Sequence, residues 1–191
     1  MLPKISKRKN NNGKLSFVFF SRIHPSKNLM KLVQLWKNNN FFNGYNLDVY
    51  GEVEDLEYFK NFQREIKNYK NLNYKGKINK YNLSYKLSKY DIFLHPSNSE
   101  NFGLVILEAM SCGLFPIVNK KIDWKILDKN NLGHSLNFTH KDLIKIIIKL
   151  DKSKKNIRKR NFYTKTRNFL SNHYNWKLII NDYYQCYSKL I

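Results

Sequence analysis

Ser97-Asn98-Ser99-Glu100-Asn101-Phe102-Gly103-Leu104-Val105-Ile106-Leu107-Glu108-Ala109-Met110-Ser111-Cys112-Gly113-Leu114-Phe115-Pro116 is the stretch from which the rest of the chain is read. Ser97 to Ser99 is short and polar and predicts a loop. Phe102 to Ser111 predicts a helix, and Gly113 stands where a left-handed residue ends one. Asp91 to His95 before it and Phe115 to Val118 after it read as short buried strands. The unit is therefore strand, loop, helix, glycine, strand. Glu100 falls in the loop and Glu108 about two turns into the helix, with apolar residues between them. Gly103 lets the backbone at the helix start come close to a ligand. A helix N-terminus carries free N–H groups and partial positive charge, which suits a phosphate or another anion.

The same alternation extends outward. Leu15 to Phe20 predicts a strand, and Lys27 to Lys37 a helix with Leu29, Leu32, Val33 and Trp36 on one face. Asn46 to Tyr50 predicts a strand ending at Gly51. Asp55 to Tyr69 follows as a helix carrying Leu56, Phe59, Phe62 and Ile66. Leu72 to Lys75 predicts a short strand before Gly76, and Lys80 to Ser88 a short helix. Lys141 to Leu150 is helical, as is most of the stretch from Ile157 to Ile191. Strands of four to six residues alternating with helices predict an α/β fold, a single doubly wound, Rossmann-like parallel sheet with helices on both faces. Ligands of such sheets bind beyond the carboxyl ends of the strands, where Ser21, Gly51, Gly76, Pro96 and Asn119 fall. Residues 1–14, with Lys4, Lys7, Arg8 and Lys9, read as a linker or basic arm, and 15–191 as one domain.

The 191 residues include 35 Lys+Arg and 14 Asp+Glu, a net charge of +21. Such a charge favours nucleotide phosphates, nucleic acid or an acidic membrane surface without choosing among them. The chain is rich in Lys and Asn and holds only 7 Gly and 4 Pro, a bias that nucleotide composition alone can produce. Hydrophobic residues at 42% exclude a disordered tail. Cys112 and Cys186 form no disulfide framework, which places the chain by default in a reducing compartment. No apolar run approaches the roughly 20 residues of a transmembrane helix. His24, His95, His134, His140 and His173 show no metal-ligand spacing with either cysteine, so no metal is expected.

The quoted stretch resembles the nucleotide-sugar-binding, C-terminal domain of the retaining GT-B glycosyltransferases often called family 4, one half of a GT-B fold. That family carries two glutamates separated by seven residues in a segment close to E-x-F-G-x-x-x-x-E-A-M-x-x-G-x-P. Glu100, Phe102, Gly103, Glu108, Ala109, Met110, Gly113 and Pro116 match it. Arg22 and Lys27 resemble the two basic residues that the family places after its first strand, against the donor diphosphate. Asp48 to Gly51 resembles the second strand and its glycine loop. Gly76-Lys77-Ile78 resembles the segment whose backbone meets the nucleobase, and Tyr174 through Tyr184 and Tyr187 the closing helix. The resemblance covers about Leu15 to Ile191. After the strand at Phe115 the family usually has paired glycines followed by Glu; here stands Asn119-Lys120-Lys121-Ile122-Asp123-Trp124.

The resemblance implies a donor-binding half that moves a sugar, of hexosyl type, from a nucleotide-diphospho-sugar such as a UDP-sugar to a saccharide or lipid-linked acceptor, as in polysaccharide biosynthesis. Glu100, Arg22 and Lys27 are then catalytic. Glu108, Phe102, Gly103, Leu104, Gly51, Lys77 and Ile78 bind the nucleotide sugar, and no metal or other cofactor is required. It further implies an N-terminal acceptor domain, in a parent chain or a separate subunit, without which the domain is inactive, and a cytoplasmic site, at times at the inner face of a membrane. His95 matches a family loop position, where orienting Glu100 and simple packing both stay open. The cluster Lys152, Lys154, Lys155, Arg158, Lys159, Arg160, Lys165 and Arg167 is either a solvated surface or a patch for anionic membrane; nucleic acid is the weaker partner. A nucleotide-sugar-binding module without turnover, and a basic domain for nucleic acid or membrane, are the alternatives.

Overall fold

The computed structural model describes residues 13–158 and 160–188; the arm expected over 1–14 lies, but for Gly13 and Lys14, outside them. Among the described residues six strands form one sheet: β1 (Phe17–Phe20), β2 (Leu47–Tyr50), β3 (Leu72–Tyr74), β4 (Ile92–His95), β5 (Phe115–Asn119) and β6 (His134–Leu136). Every pairing is parallel, in the order β3-β2-β1-β4-β5-β6. The chain moves outward from β1 to β3, returns to β4, and moves outward on the other side. The strand order therefore reverses between β1 and β4, and this opens a crevice at their carboxyl ends.

The period-two alternation of β1 explains the two layers. Phe17 and Phe19 enter one core and Val18 the other. The first core is closed by α1 (Leu29–Lys37), α2 (Leu56–Ile66) and α6 (His140–Lys152), through Leu32, Trp36, Phe62, Leu143 and Ile147. The second is closed by α3 (Leu83–Leu87), α4 (Leu104–Ser111) and α8 (Arg160–His173), through Leu87, Ile106, Met110, Phe169 and Leu170. Burying these side chains from water on both faces holds the sheet, at about 25 cal/mol per Å² of apolar surface. Remaining helices are α5 (Ile126–Lys129), α7 (Lys154–Arg158) and α9 (Trp176–Tyr187). No described helix is long and apolar enough to cross a membrane.

Several boundaries move for local reasons. The helix expected from Lys27 starts as a 3-10 turn, Pro25–Lys27, which Asn28 interrupts at φ 56° before α1 begins. Asp55 is not the first residue of α2 but its cap, accepting a hydrogen bond from Tyr58 N at 2.9 Å. The helix expected over Phe102 to Ser111 begins only at Leu104, because Gly103 adopts φ 76°. Gly113, at φ 81°, ends it as expected. Neither α5 nor β6 is expected from the sequence; β6 has three half-buried residues and takes its extended form from pairing with β5.

Arg158 corrects the reading of the basic cluster. It is engaged within the chain. Its Nε and Nη2 donate to Asp91 Oδ1 at 2.8 Å and Oδ2 at 2.7 Å, and its Nη2 to the carbonyl of Lys14 at 3.2 Å. Asp91 also accepts from Ser16 N and Ser16 Oγ, each at 3.0 Å. This clamp ties α7 to the amino ends of β1 and β4. Lys154 is likewise taken up, by Asp151 at 3.6 Å, and Lys159 lies outside the described residues. Lys152, Lys155 and Lys165 are exposed. The Asp91 carboxylate is 5% exposed, so Asp91→Ala strands a half-buried guanidinium. We expect this substitution to cost about 3 kcal/mol in chemical denaturation, well above the few tenths typical of a surface charge.

Candidate functional site

Beyond the carboxyl ends of β1 to β4 lies a groove of about 1180 Å³. Its walls come from Phe20 to Arg22 with Ser26 and Lys27 after β1, Gly51 and Glu52 after β2, Lys77 to Lys80 with Leu83 after β3, and Ser99 to Val105 with Glu108 after β4. All ten site residues expected from the sequence line it: Glu100, Arg22, Lys27, Glu108, Phe102, Gly103, Leu104, Gly51, Lys77 and Ile78. Residues 73 positions apart in the chain meet there because the strand order reverses between β1 and β4.

Glu100 is the most constrained of the ten. Lys27 Nζ donates to its Oε1 at 2.8 Å, and His95 Nε2 lies 2.7 Å from the same oxygen. The Lys27 and Glu100 side chains are each 10% exposed and His95 is fully buried. Burial alone would raise the Glu100 carboxyl, but hydrogen bonds from His95 and Lys27 outweigh it and hold the group down at about 2. Burial lowers the His95 imidazole below its ordinary 6.5, against the opposing pull of Glu100. His95 is therefore neutral at pH 7 and its Nε2–H donates to the carboxylate, while its buried Nδ1 has no hydrogen-bond partner among the described residues. Of the two roles open for His95, the geometry provides the orienting contact; the ring also stacks on Phe93 at 5.5 Å.

Glu108 has the opposite environment. It sits half-buried on α4, and desolvation raises its carboxyl while nearby Lys80 pulls it down. One carboxylate is thus locked by two donors and the other faces the groove with acceptor capacity to spare. Gly103 lies between them, and two constraints select glycine there. Its φ of 76° suits the left-handed region, and a Cβ would come within 2.8 Å of Trp124 Nε1. Trp124 belongs to the segment that stands in place of paired glycines, and it packs beneath the start of α4 with Tyr174 at 6.2 Å. Phe102 and Leu104 are exposed at the groove mouth.

Gly51 is required by a close approach. A Cβ there would lie 1.9 Å from the carbonyl oxygen of Ser21. This proximity continues past the strand ends as a parallel bridge between Ile23 and Val53. Arg22 and Lys77 are already paired: Arg22 Nη1 with Glu54 at 2.7 Å, Lys77 with Glu52 at 2.6 Å. Sequence reasoning missed Glu52, Glu54 and Lys80. The only signal was two carboxylates spaced by one residue directly after Gly51, in a chain poor in acidic residues. Of the aromatic residues toward the C-terminus, Tyr174 packs inward, whereas Tyr183, Tyr184 and Tyr187 on α9 are exposed rather than buried in a core.

Comparison with known proteins bears on the family and the fold. The family model described as Glycosyl transferases group 1 matches residues 3–124. No curated protein matches the chain. Among solved structures, it is similar to the C-terminal domain of a glycosyl transferase group 1 family protein, LpcC, from Francisella tularensis. That match has 21% identity and a TM-score of 0.67, and covers 86% of this chain and 88% of that one. It is also similar to HepE from Anabaena, crystallised with UDP, at 18% identity and a TM-score of 0.76, covering 93% of this chain and 49% of that one. A TarM variant from S. aureus gives 18% identity and a TM-score of 0.72, covering 96% of this chain and 38% of that one. At these identities the likeness shows the fold. The chain spans about half the length of HepE.

The paired groups set an acid limit. Glu100 is depressed from 4.5 to about 2 in the folded state, so its contribution is complete above pH 4.5 and is lost as the pH falls toward 2. His95 is depressed from 6.5, so the unfolded chain takes up that proton first and stability already declines below pH 6.5. Denaturation midpoints followed from pH 7.5 to 3 should begin to fall near pH 6.5 and keep falling to the acid end of this range. In Glu100→Gln the decline below pH 4.5 should flatten while the one below 6.5 persists.

Proposed function

Because the chain belongs to the family of glycosyl transferases group 1, we propose that it is the donor-binding half of a retaining glycosyltransferase. It takes a hexosyl group from a nucleotide-diphospho-sugar and passes it to a saccharide or lipid-linked acceptor held by a further domain. One observation carries this reading: Glu100, Glu108, Arg22 and Lys27 share a single groove with the N-terminus of α4. HepE, which holds UDP, and the TarM variant, crystallised with UDP and α-GlcNAc-glycerol, favour a uridine nucleotide as the first donor to try.

Each group has a task suited to its environment. Glu108, half-buried on the groove wall, accepts hydrogen bonds from the ribose hydroxyls. Glu100, held by His95 and Lys27, meets hydroxyls of the donor sugar with its orientation already fixed. The amides at Gly103 and Leu104 point at the diphosphate, together with Arg22 and Lys27, whose ammonium has donors beyond the one given to Glu100. When the bond from the anomeric carbon to the diphosphate oxygen breaks, the departing nucleoside diphosphate gains one negative charge. Cations already in place stabilise that charge without reorganisation. The acceptor hydroxyl bonds to the anomeric carbon on the same face and gives up its proton to the departing diphosphate oxygen. Arg22, Lys27 and the helix start supply the positive charge, so the reading calls for no metal.

Titration calorimetry of the folded chain should show binding of UDP, GDP or their sugars, unaffected by EDTA. Glu108→Gln should weaken it about tenfold, the size of a lost charge-assisted hydrogen bond. With an acceptor-domain chain supplied, Arg22→Ala should lower kcat for sugar transfer about a hundredfold and change donor KM little. A folded sample that binds no nucleotide, or that binds DNA at nanomolar affinity with a steep salt dependence, overturns the donor reading. Nucleotide binding without transfer, in the presence of the acceptor domain, overturns the enzymatic part.

A further inference from the structure

The two loops that carry Arg22 and Glu54 are zipped together beyond the ends of their strands. Ile23 N donates to the carbonyl of Glu52 at 2.8 Å, and Glu54 N to the carbonyl of Ile23 at 3.3 Å, around the bridged pair Ile23 and Val53. Arg22 and Glu54 each lie one position from that pair, so both project to the same side of the miniature ladder. The close packing of Gly51 against Ser21 fixes the spacing between them.

The contact itself is one-sided. Both oxygens of Glu54 meet the same guanidinium nitrogen, Nη1, at 2.7 and 2.8 Å. Glu54 does not engage Nε or Nη2. Arg22 lines the groove and Glu54 does not. The neighbouring pair differs: Glu52 and Lys77 both line the groove, so that carboxylate competes with any anion entering it. Arg22 is 56% exposed, and an arginine so exposed visits many rotamers unless something holds it.

We propose that Glu54 is a positioning residue: it grips Arg22 from outside the groove by one edge and presents the opposite edge to the diphosphate of the donor. This rests on the reading of the groove as a donor site. Two glutamates separated by one residue then act in opposite directions on the same ligand. Glu54 aids diphosphate binding through Arg22, and Glu52 opposes it by occupying Lys77.

That opposition makes the test sharp, because Glu54→Gln and Glu52→Gln each remove one negative charge from the same loop. If only the electrostatic field mattered, both would tighten phosphate binding. UDP and GDP are titrated into the wild-type chain, both single variants, Arg22→Ala and the double variant Arg22→Ala/Glu54→Gln. Uridine and guanosine serve as controls without phosphate. We expect Glu54→Gln to weaken diphosphate binding about fivefold, the size of an exposed ion-pair coupling, and Glu52→Gln to tighten it. Nucleoside binding should be unchanged, and the double variant should bind no more weakly than Arg22→Ala. Tighter or unchanged diphosphate binding by Glu54→Gln overturns the proposal. So does a full further loss in the Arg22→Ala background, or a loss shared by the nucleosides. A wild-type chain that binds neither nucleotide overturns the donor reading itself and takes the proposal with it.

Discussion

The ion pair between Lys27 and Glu100 is the contact on which the groove depends. It joins the loop after β1 to the loop after β4, across the place where the strand order reverses. Water is almost excluded from it, so the pair is strong only while both partners are present, and a lone charge left there would be costly. His95 supplies the second donor and is itself buried at the end of β4. The geometry of Glu100 is thus set by the sheet rather than by solvent-exposed side chains. A group held this way has little reorientation left to do when a ligand arrives.

Around that fixed point the groove graduates from rigid to adaptable. Lys27, Glu100 and His95 form the buried end. Glu108 occupies a middle position on α4, half-buried and within the field of Lys80. Arg22 with Glu54 and Lys77 with Glu52 form the exposed end, where ion pairs contribute little to stability and exchange partners cheaply. Glu52 thus occupies Lys77 until a stronger anion replaces it, whereas Glu54, outside the groove, keeps its hold on Arg22. The large positive charge of the chain does not by itself explain the site, because the cations lining the groove are largely balanced there.

Much of this was legible in the sequence because it rests on local patterning. The strand cores from Phe17, Leu47, Ile92 and Phe115 are short apolar runs bounded by polar or glycine residues, and the spacing from Glu100 to Glu108 is explicit. What stayed hidden depends on contacts distant in sequence. Strand β6 has no apolar run of its own and exists through Ile117, Val118 and Asn119. Arg158 looks like one more charge in a basic run, and only the fold shows Asp91 waiting for it. Glu54 carries no motif; its place comes from the bridge between Ile23 and Val53. Trp124 is equally silent in sequence, since its relation to Gly103 exists only once α4 has packed.

The clamp of Arg158 on Asp91 and the carbonyl of Lys14 also bears on how the protein is made. A ribosome adds about 5 to 20 residues per second. All six strands emerge before Arg158 does, and the segment leading into β1 waits for a partner more than 140 residues downstream. During synthesis the nascent sheet must therefore stand without its closing tether. The emergence of Lys154 to Arg158, about a quarter of a second to one second at that rate, supplies the tether that secures the layer.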